Sequence, residues 1–446
     1  MQQLFYRMLR VVNRVERLTR ERLTPAGWVV LATAGGAAIA GVDTNQTMTF
    51  QAFTLLAALL ALAFVASLSF RARARIVRSL PQYATAGEPV SYRVAVTNLG
   101  TRPLVGARLA EDFGDLRPGY AEFAAAREPG EERRNWVDRR LGYFRWRWLI
   151  ERRLPEQASE RALPSIAPDA REEVQMSLTP RGRGMIAFEG VRLARADPLG
   201  LMHAPRRIPL AAKLVVLPKR YRLPALAFPG KRKFQPGGVA LAASVGDSEE
   251  FISLRDYRPG DPLQRVHWKS FARIGKPIVK ETQDEFYERH ALVLDTAASG
   301  GESAAFEEAV SIAASFVYAV DTSESLLDLL FVGEAVHGYT AGRGQLHTAQ
   351  MLEVLAAVRA SRPEAFRMLA GAALGRRGEL SSVIVVLLAW DEERRAFVRA
   401  LTASGTEVRT LLVCEERDAP AGATAGGFVP HLLHPGRIEA GLAKLR

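Results

Sequence analysis

The sequence predicts an α/β plus all-β protein hung from an N-terminal membrane hairpin, and three observations carry that prediction. Two apolar runs without an ionisable side chain crowd into the first seventy positions. From Glu88 apolar residues recur at every second position, the period of a half-buried strand. From Arg289 short apolar runs alternate with amphipathic segments, the pattern of a parallel sheet covered on both faces. A chain of 446 residues exceeds what one hydrophobic core organises, so two or three packing units are expected.

Residues 1–25 form the first element. Leu4, Phe5, Met8, Leu9, Val12, Val15 and Leu18 recur at helical spacing while arginines take the other face. Two readings of this basic amphipathic helix stand open: it lies on anionic lipid, or it packs on the protein's own cytoplasmic domain. Ala26 to Val42 and Met48 to Phe70 follow, each long enough to cross a hydrocarbon core. The first, short and rich in Gly and Ala, also matches the apolar region of a signal peptide. Only Asp43 to Thr47 separate it from the second run, which favours a hairpin over 26–70 with spans at 26–42 and 48–70.

Basic residues hold the flanks of a span on the cytoplasmic side. Arg7, Arg10, Arg14, Arg17, Arg20 and Arg22 precede the hairpin, and Arg71, Arg73, Arg75 and Arg78 follow it, so both termini are expected in the cytoplasm. Residues 1–80 hold ten Arg, no Lys and three acids, a net +7 of the chain's +12. The basicity therefore reports topology, and nucleic acid is not a predicted partner.

A β-sandwich is expected over 82–217. Val90, Tyr92, Val94 and Val96 share one face of a strand, Asn98-Leu99-Gly100 turns the chain, and Leu104 to Leu109 is the expected partner strand. Further strands fit Glu173–Leu178, Met185–Ala194 and Leu214–Leu217, and the role is scaffold or docking surface. Arg181 to Gly184 reads as a turn, because no helix follows it to make a phosphate loop.

An insert at 111–171 breaks the strand rhythm. Between Glu131 and Arg153 stand eight Arg, four acids and three Trp. Trp136, Arg145, Trp146, Arg147 and Trp148 read as a membrane-proximal or partner-binding set, or else Phe144, Trp146 and Trp148 alternate along one strand and pack inward.

A linker punctuated by proline, Pro218 to Gly238, opens the segment 218–288, and an α/β domain fills 289–446. Ligands of parallel sheets bind at the carboxyl ends of strands, which singles out Asp295 to Ser299, Thr340 and Asp391. Carboxylate and hydroxyl oxygens converging there suit a hard divalent ion such as Mg²⁺. A metal-dependent hydrolase or transferase using Asp295 and Asp391 is the alternative to a binding protein. Cys414 ends a strand-like run and reads as a buried thiol. His267 has no nucleophile or second metal-ligand His beside it and reads as structural, and the chain carries neither a P-loop nor His-Glu-x-x-His.

The strand-end set resembles the metal site of the von Willebrand factor A fold, Asp-x-Ser-x-Ser with a Thr and a second Asp. This chain reads Asp295-Thr296-Ala297-Ala298-Ser299, with Ala297 in place of a hydroxyl. The resemblance implies a degenerate site at Asp295, Ser299, Thr340 and Asp391, no required cofactor, and Mg²⁺ as the ion such a site would take.

TAGEPVSYRVAVTN (85–98), RGRGMIAFEGVRLARADPLGL (181–201), VVLPKRY (215–221) and above all LRDYRPGDPLQRVHWKSFARIGKPIVKE (254–281) widen the resemblance to domain-of-unknown-function family 58. That family implies a bacterial inner-membrane protein with a cytoplasmic A-like domain, a MoxR-type AAA+ ATPase as partner, and a client protein. The expected function is a non-enzymatic scaffold in complex assembly or envelope maintenance. Within the last block Arg255, Asp256, Tyr257, Arg258, Gly260, Asp261, His267, Trp268, Lys269, Gly275 and Lys276 either brace the sandwich against the sheet or form a docking face.

Overall fold

The computed structural model describes residues 2–40, 47–68, 70, 72–126, 128, 130–131, 134–156, 160–224, 250–259, 261, 263, 266–283, 288–298, 303–320, 325–333, 335–341, 345–415 and 429–445. Most of the turn at 43–47, much of the linker at 218–238, and Gly260 and Ser299 lie outside them. Packing divides the chain into two units, Met1–Arg220 with Leu352–Val358, and Tyr221–Met351 with Arg359–Arg446.

The first unit begins with α1 (Gln2–Arg22), α2 (Pro25–Ala40) and α3 (Thr47–Ser67). Among the described residues Met48–Ser67 is the one helix long and apolar enough to cross a membrane, and α2 is shorter. The corner between α1 and α2 is tied to the β-sandwich. Thr24 Oγ1 donates to Gly200 O (2.6 Å) and accepts from Gly27 N (3.0 Å), capping α2. A Cβ on Gly27 would stand 2.0 Å from Leu201 O, so only glycine fits. Gly27→Ala is expected to loosen this corner and speed tryptic cleavage at Arg20 and Arg22 by about tenfold, the effect of an overpacking cost of ~1–3 kcal/mol. An unchanged cleavage rate would show that the corner is not a constraint.

Eight strands follow: β1 (Ala74–Ser79), β2 (Tyr83–Thr85), β3 (Val90–Asn98), β4 (Ala107–Asp112), β5 (Arg161–Ala162), β6 (Arg171–Leu178), β7 (Gly184–Ala196) and β8 (His203–Leu217). They form a three-stranded sheet, β1-β3-β6, and a five-stranded sheet, β2-β8-β7-β4-β5. Tyr92, Val94, Val96, Leu109, Met176, Phe188, Val191 and Leu214 fill the core, with the two-residue alternation of β3 turned inward.

Two strand expectations are corrected. The residues after Asn98 do not pair back on β3: β4 begins at Ala107 and joins β7 in the other sheet, while β3 lies between β1 and β6. Both edges of β3 are thus taken by distant segments, a pairing that alternation alone does not encode. The domain also starts earlier than 82, at β1. Arg78 is consequently no flank of a membrane span but the centre of the sandwich. Its guanidinium pairs with Glu111 and donates to Leu210 O and Gly190 O (3.0 Å each), and it lies 4.6 Å from the Phe188 ring centroid. Burial pushes the Glu111 carboxyl up, against the pull of Arg78 and of the Tyr92 hydroxyl, which donates to it at 2.9 Å.

The insert is helical, not a strand: α4 (Tyr120–Ala125), α5 (Trp136–Leu141) and α6 (Tyr143–Arg153). Gly142, at φ 66°, ends α5 in the left-handed conformation and opens α6. On α6 the buried residues are Arg145, Trp146 and Leu149, at helical spacing, and Trp146 and Leu149 pack with Phe123 and Leu9.

The second unit opens with an antiparallel pair, β9 (Glu250–Asp256) and β10 (Ile278–Gln283), with α7 (Trp268–Ile274) between them. A sheet of β11 (Glu288–Leu294), β12 (Ser325–Val332), β13 (Val336–Ala341), β14 (Ser382–Leu387), β15 (Glu407–Val413) and β16 (His431–Leu433) follows in the order β13-β12-β11-β14-β15-β16. Its pairings are parallel except β12 with β13. The helices are α8 (Ala304–Ala319), α9 (Gln345–Ala357), of which residues 352–357 group with the first unit, α10 (Ala365–Gly375), α11 (Glu392–Ala403) and α12 (Ile438–Leu442). Strand β14 is buried throughout, as its unbroken run of Val, Ile and Leu requires. Cys414 is buried just past β15, as expected of a core thiol.

Candidate functional site

In the second sheet the connection order reverses beside β11, which has β12 on one side and β14 on the other. The crevice at the carboxyl ends of β11 and β14 is where doubly wound sheets take ligands. Asp295 follows β11 and Asp391 follows β14 as the N-cap of α11. A third residue joins them. Arg394, with its side chain 6% exposed, donates Nε to Asp295 Oδ2 at 2.7 Å, pairs with Asp391, and donates to Ala297 O at 3.3 Å. Its guanidinium lies 4.5 Å from the centroid of the Phe366 ring.

The Asp295 oxygens are committed. Oδ1 accepts from Ala297 N (3.0 Å), and Oδ2 accepts from Leu388 N (3.2 Å) as well as from Arg394. Burial pushes this carboxyl up, partly offset by the guanidinium and the two amides. Arg394 is desolvated too, but the two carboxylates outweigh that and hold its pKa above the ordinary arginine value.

Thr340 does not converge on this place. It lies on β13 opposite Asp328 of β12, which in turn lies opposite Ala291, four residues before Asp295 on β11. Thr340 Oγ1 donates to Asp328 Oδ1 (2.6 Å), and the same buried carboxylate takes Arg289 at 2.9 Å. The fourth member of the expected set, Ser299, lies outside the described residues.

The described members of the expected set do not converge on one cation position: Asp295 accepts from two amides and a guanidinium, Arg394 brings a fixed positive charge to the carboxylates, and Thr340 serves another pair. Among the described residues no group of three or more His, Cys, Asp or Glu could hold a metal ion. Arg394 carried a sequence signal, since Asp391-Glu-Glu-Arg394 places a cation one helical turn after an N-cap acid.

The charged block folds as its own hairpin. Arg255 forks both carboxylate oxygens of Asp261 (2.7 and 2.8 Å), and Arg258 N donates to Asp261 (2.9 Å). The Arg255 hydrogen bond, followed by the Arg258 amide, pulls the Asp261 carboxyl down to about 2. Tyr257 N donates to Pro277 O (3.0 Å) across the hairpin. His267 is structural in its contacts: its N–H donates to Ile278 O (2.8 Å) and Nδ1 sits 2.6 Å from Ser270 Oγ. Gly275, at φ 73°, closes α7. Asp256, Arg258, Lys269 and Lys276 are exposed. So are Trp268 and Ile274, each 60%, with Leu254, Leu263 and Phe271.

The insert divides the aromatic set. Trp146 is buried, with Arg145 beside it pairing with Glu131. Trp148 is half-buried under Arg152, Arg147 pairs with Glu151 in solvent, and Trp136 is exposed.

Residues 253–420 match the family described as Protein of unknown function DUF58. The DUF58 segment thus takes in most of the signature hairpin and the strand ends bearing Asp295, Asp391 and Arg394. Over 184 residues the chain is 27% identical to the uncharacterized protein YeaD of Bacillus subtilis (strain 168), covering 41% of this chain and 44% of that relative. The chain spans less than half the length of the curated relative it matches.

Among solved structures it is similar to the CARDB domain of the PF1109 protein of Pyrococcus furiosus in complex with di-metal ions, at 12% identity, 33% of this chain, 89% of that chain and TM-score 0.18. The ASH/PapD-like domain of human CEP192 stands at 13% identity, 32% of this chain, 84% of that chain and TM-score 0.16. Similarity at that level carries no argument.

Proposed function

We propose that this chain is a membrane-anchored, non-enzymatic scaffold that presents a von Willebrand factor A-like domain to a MoxR-type AAA+ ATPase and to client proteins, in complex assembly or envelope maintenance. The anchor is the pair α2 and α3, a hairpin in a bacterial inner membrane with both termini cytoplasmic. The parallel sheet with carboxylates at the ends of β11 and β14 supports the A-like assignment, and the basic flanks support the topology.

The observation that carries the reading is the signature hairpin. It exposes Leu254, Leu263, Trp268, Phe271 and Ile274 along with Arg258, Lys269, Arg273 and Lys276, and the Trp268 and Phe271 rings stand edge to face at 6.0 Å. An apolar, aromatic centre with a charged rim is the anatomy of a protein-binding surface. The commitment of Asp295 to Arg394 favours this binding reading over metal-assisted hydrolysis, because the guanidinium already neutralises the carboxylate that an ion would need.

Purification of the tagged full chain from native membranes in mild detergent is expected to recover a MoxR-type ATPase. Trp268→Ala with Phe271→Ala should lower that recovery at least about tenfold, since truncated aromatic anchors cost about 2 kcal/mol or more. Equal recovery by the variant would remove the hairpin from the interface. No ATPase beside an intact chain would remove the partner.

A further inference from the structure

Helix α1 has two faces with different occupants. On one, Tyr6 packs on Tyr120, Phe123 and Trp146, Leu9 is buried with Phe123, Trp146 and Leu149, and Tyr6 Oη donates to Pro118 O at 3.1 Å. The same side carries Arg17 and Glu21. Glu21 pairs with Arg17 (3.0 Å), Arg192 (2.7 Å) and Arg207 (3.0 Å), and Arg17 reaches Asp112 (3.0 Å) and Gly114 O (2.6 Å). Burial alone would push the Glu21 carboxyl up, but the three arginines outweigh it and hold it below its ordinary value. This face is bound to the protein itself.

Among the described residues the other face has no such occupant. Leu4 (68% exposed), Met8, Val11 (60%), Val12, Val15 and Leu18 are all exposed. At 3.6 residues per turn these six fall within an arc of about 120°, with the exposed Arg7 and Arg14 along one edge. A soluble helix already packed on one side would carry polar residues here. One contact and the chain connection place the arc beside the apolar helices: Arg22 stands 5.6 Å from the centroid of the Phe64 ring near the end of α3, and only Leu23 and Thr24 separate α1 from α2.

We propose that α1 is an interfacial helix, its apolar arc sunk in the headgroup boundary of an anionic bilayer and its opposite face holding the β-sandwich unit to that surface. The inference rests on the membrane anchor proposed above. Leu4, Met8, Val11, Val12, Val15 and Leu18 enter the acyl boundary, and Arg7 and Arg14 meet lipid phosphates at its edge. Because Glu21 and Tyr6 clamp the reverse face, the helix sets the height of the sandwich above the membrane as well as adding affinity.

The test uses the full chain in a Cys414→Ser background, reconstituted in nanodiscs containing phosphatidylglycerol, with a fluorophore on a single cysteine at Val11→Cys, Val15→Cys, Leu62→Cys or, as an aqueous control, Arg102→Cys. Labels at 11 and 15 are expected to be quenched by nitroxide lipids at least about threefold more strongly than the label at 102, and to be shielded from iodide. If 11 and 15 are iodide-accessible while 62 is lipid-quenched, the interfacial helix is overturned and the anchor stands. If 62 is also iodide-accessible, the anchor itself fails. Mutual quenching of labels at 11 between two copies would overturn the proposal in favour of a dimer. A companion variant, Arg7→Glu with Arg14→Glu, keeps the apolar arc intact and is expected to raise iodide access at 15 in anionic discs. No change in that variant would overturn the phosphate contacts.

Discussion

Replacing Arg394 with methionine is expected to destabilise the second unit by about 3–5 kcal/mol, the cost of leaving a buried carboxylate without its cation. That is a large part of the ~5–15 kcal/mol that holds a domain together. Asp295 would keep its two amide donors, from Ala297 and Leu388, but lose the guanidinium paired with it. The deficit should depend on pH with a definite sign. Burial already raises the Asp295 carboxyl above its unfolded value, so its ionisation lowers stability as pH rises from the unfolded value towards the folded one. Removing Arg394 raises the folded value further and widens that window.

The variant should therefore lie nearest to wild type in acid and fall further behind towards neutral pH, by at most ~1.4 kcal/mol for each unit of added shift. Urea titration read by pulse proteolysis of the full chain measures this. The double variant Asp295→Asn with Arg394→Met should recover most of the loss, because no charge is then left unpaired. An Arg394→Met protein with the wild-type midpoint at neutral pH would mean that Arg394 does not occupy the strand-end crevice, and the metal reading would reopen.

Arg78→Met is expected to cost the first unit a similar ~3–5 kcal/mol. Its side chain is 1% exposed and its partner Glu111 is 2% exposed, so neither charge has water to fall back on. The loss would strand the Leu210 and Gly190 carbonyls together with Glu111, leaving Tyr92 as a single donor to that carboxylate. Arg78→Met with Glu111→Leu should be close to neutral, since an apolar pair removes both desolvation penalties. The outcome separates two roles for one residue. Were Arg78 a topological flank, its loss would alter the orientation of the spans and leave the urea midpoint of the sandwich untouched.

Both residues show where local reading stops. Arg78 sits in a cluster with Arg71, Arg73 and Arg75, and composition groups them together, yet Ile76 and Arg78 occupy one face of β1 and point inward. Only the pairing of β1 with β3 reveals this. The strands of the second sheet were legible because a run such as Ser382 to Leu387 is buried on both sides and carries its own signal. Helix α8 was legible for a similar reason, from its pattern of apolar residues, and the structure adds the Ser303 cap.

The insert misled because Phe144, Trp146 and Trp148 alternate over too few residues to separate a strand from a helix. Gly142 in the left-handed conformation decides it. Edge strand β13, exposed over most of its length, and helix α10 were not foreseen. The candidate site was half legible. Asp295 and Asp391 were found from their places after apolar strands, whereas Thr340 was grouped with them although its strand runs antiparallel, which carries it towards Asp328 and away from the crevice.

By itself the sequence determined the succession of apolar helix, alternating strands and buried parallel strands, because hydrophobic periodicity is a local property that each segment carries alone. It also carried the charged block at 254–281, which falls within the DUF58 match. The tertiary structure decided which charges face one another. Arg394 neutralises Asp295 across 99 residues and Arg78 neutralises Glu111 across 33. Such pairs depend on distance in space within a low-dielectric interior, and sequence separation does not contain that quantity.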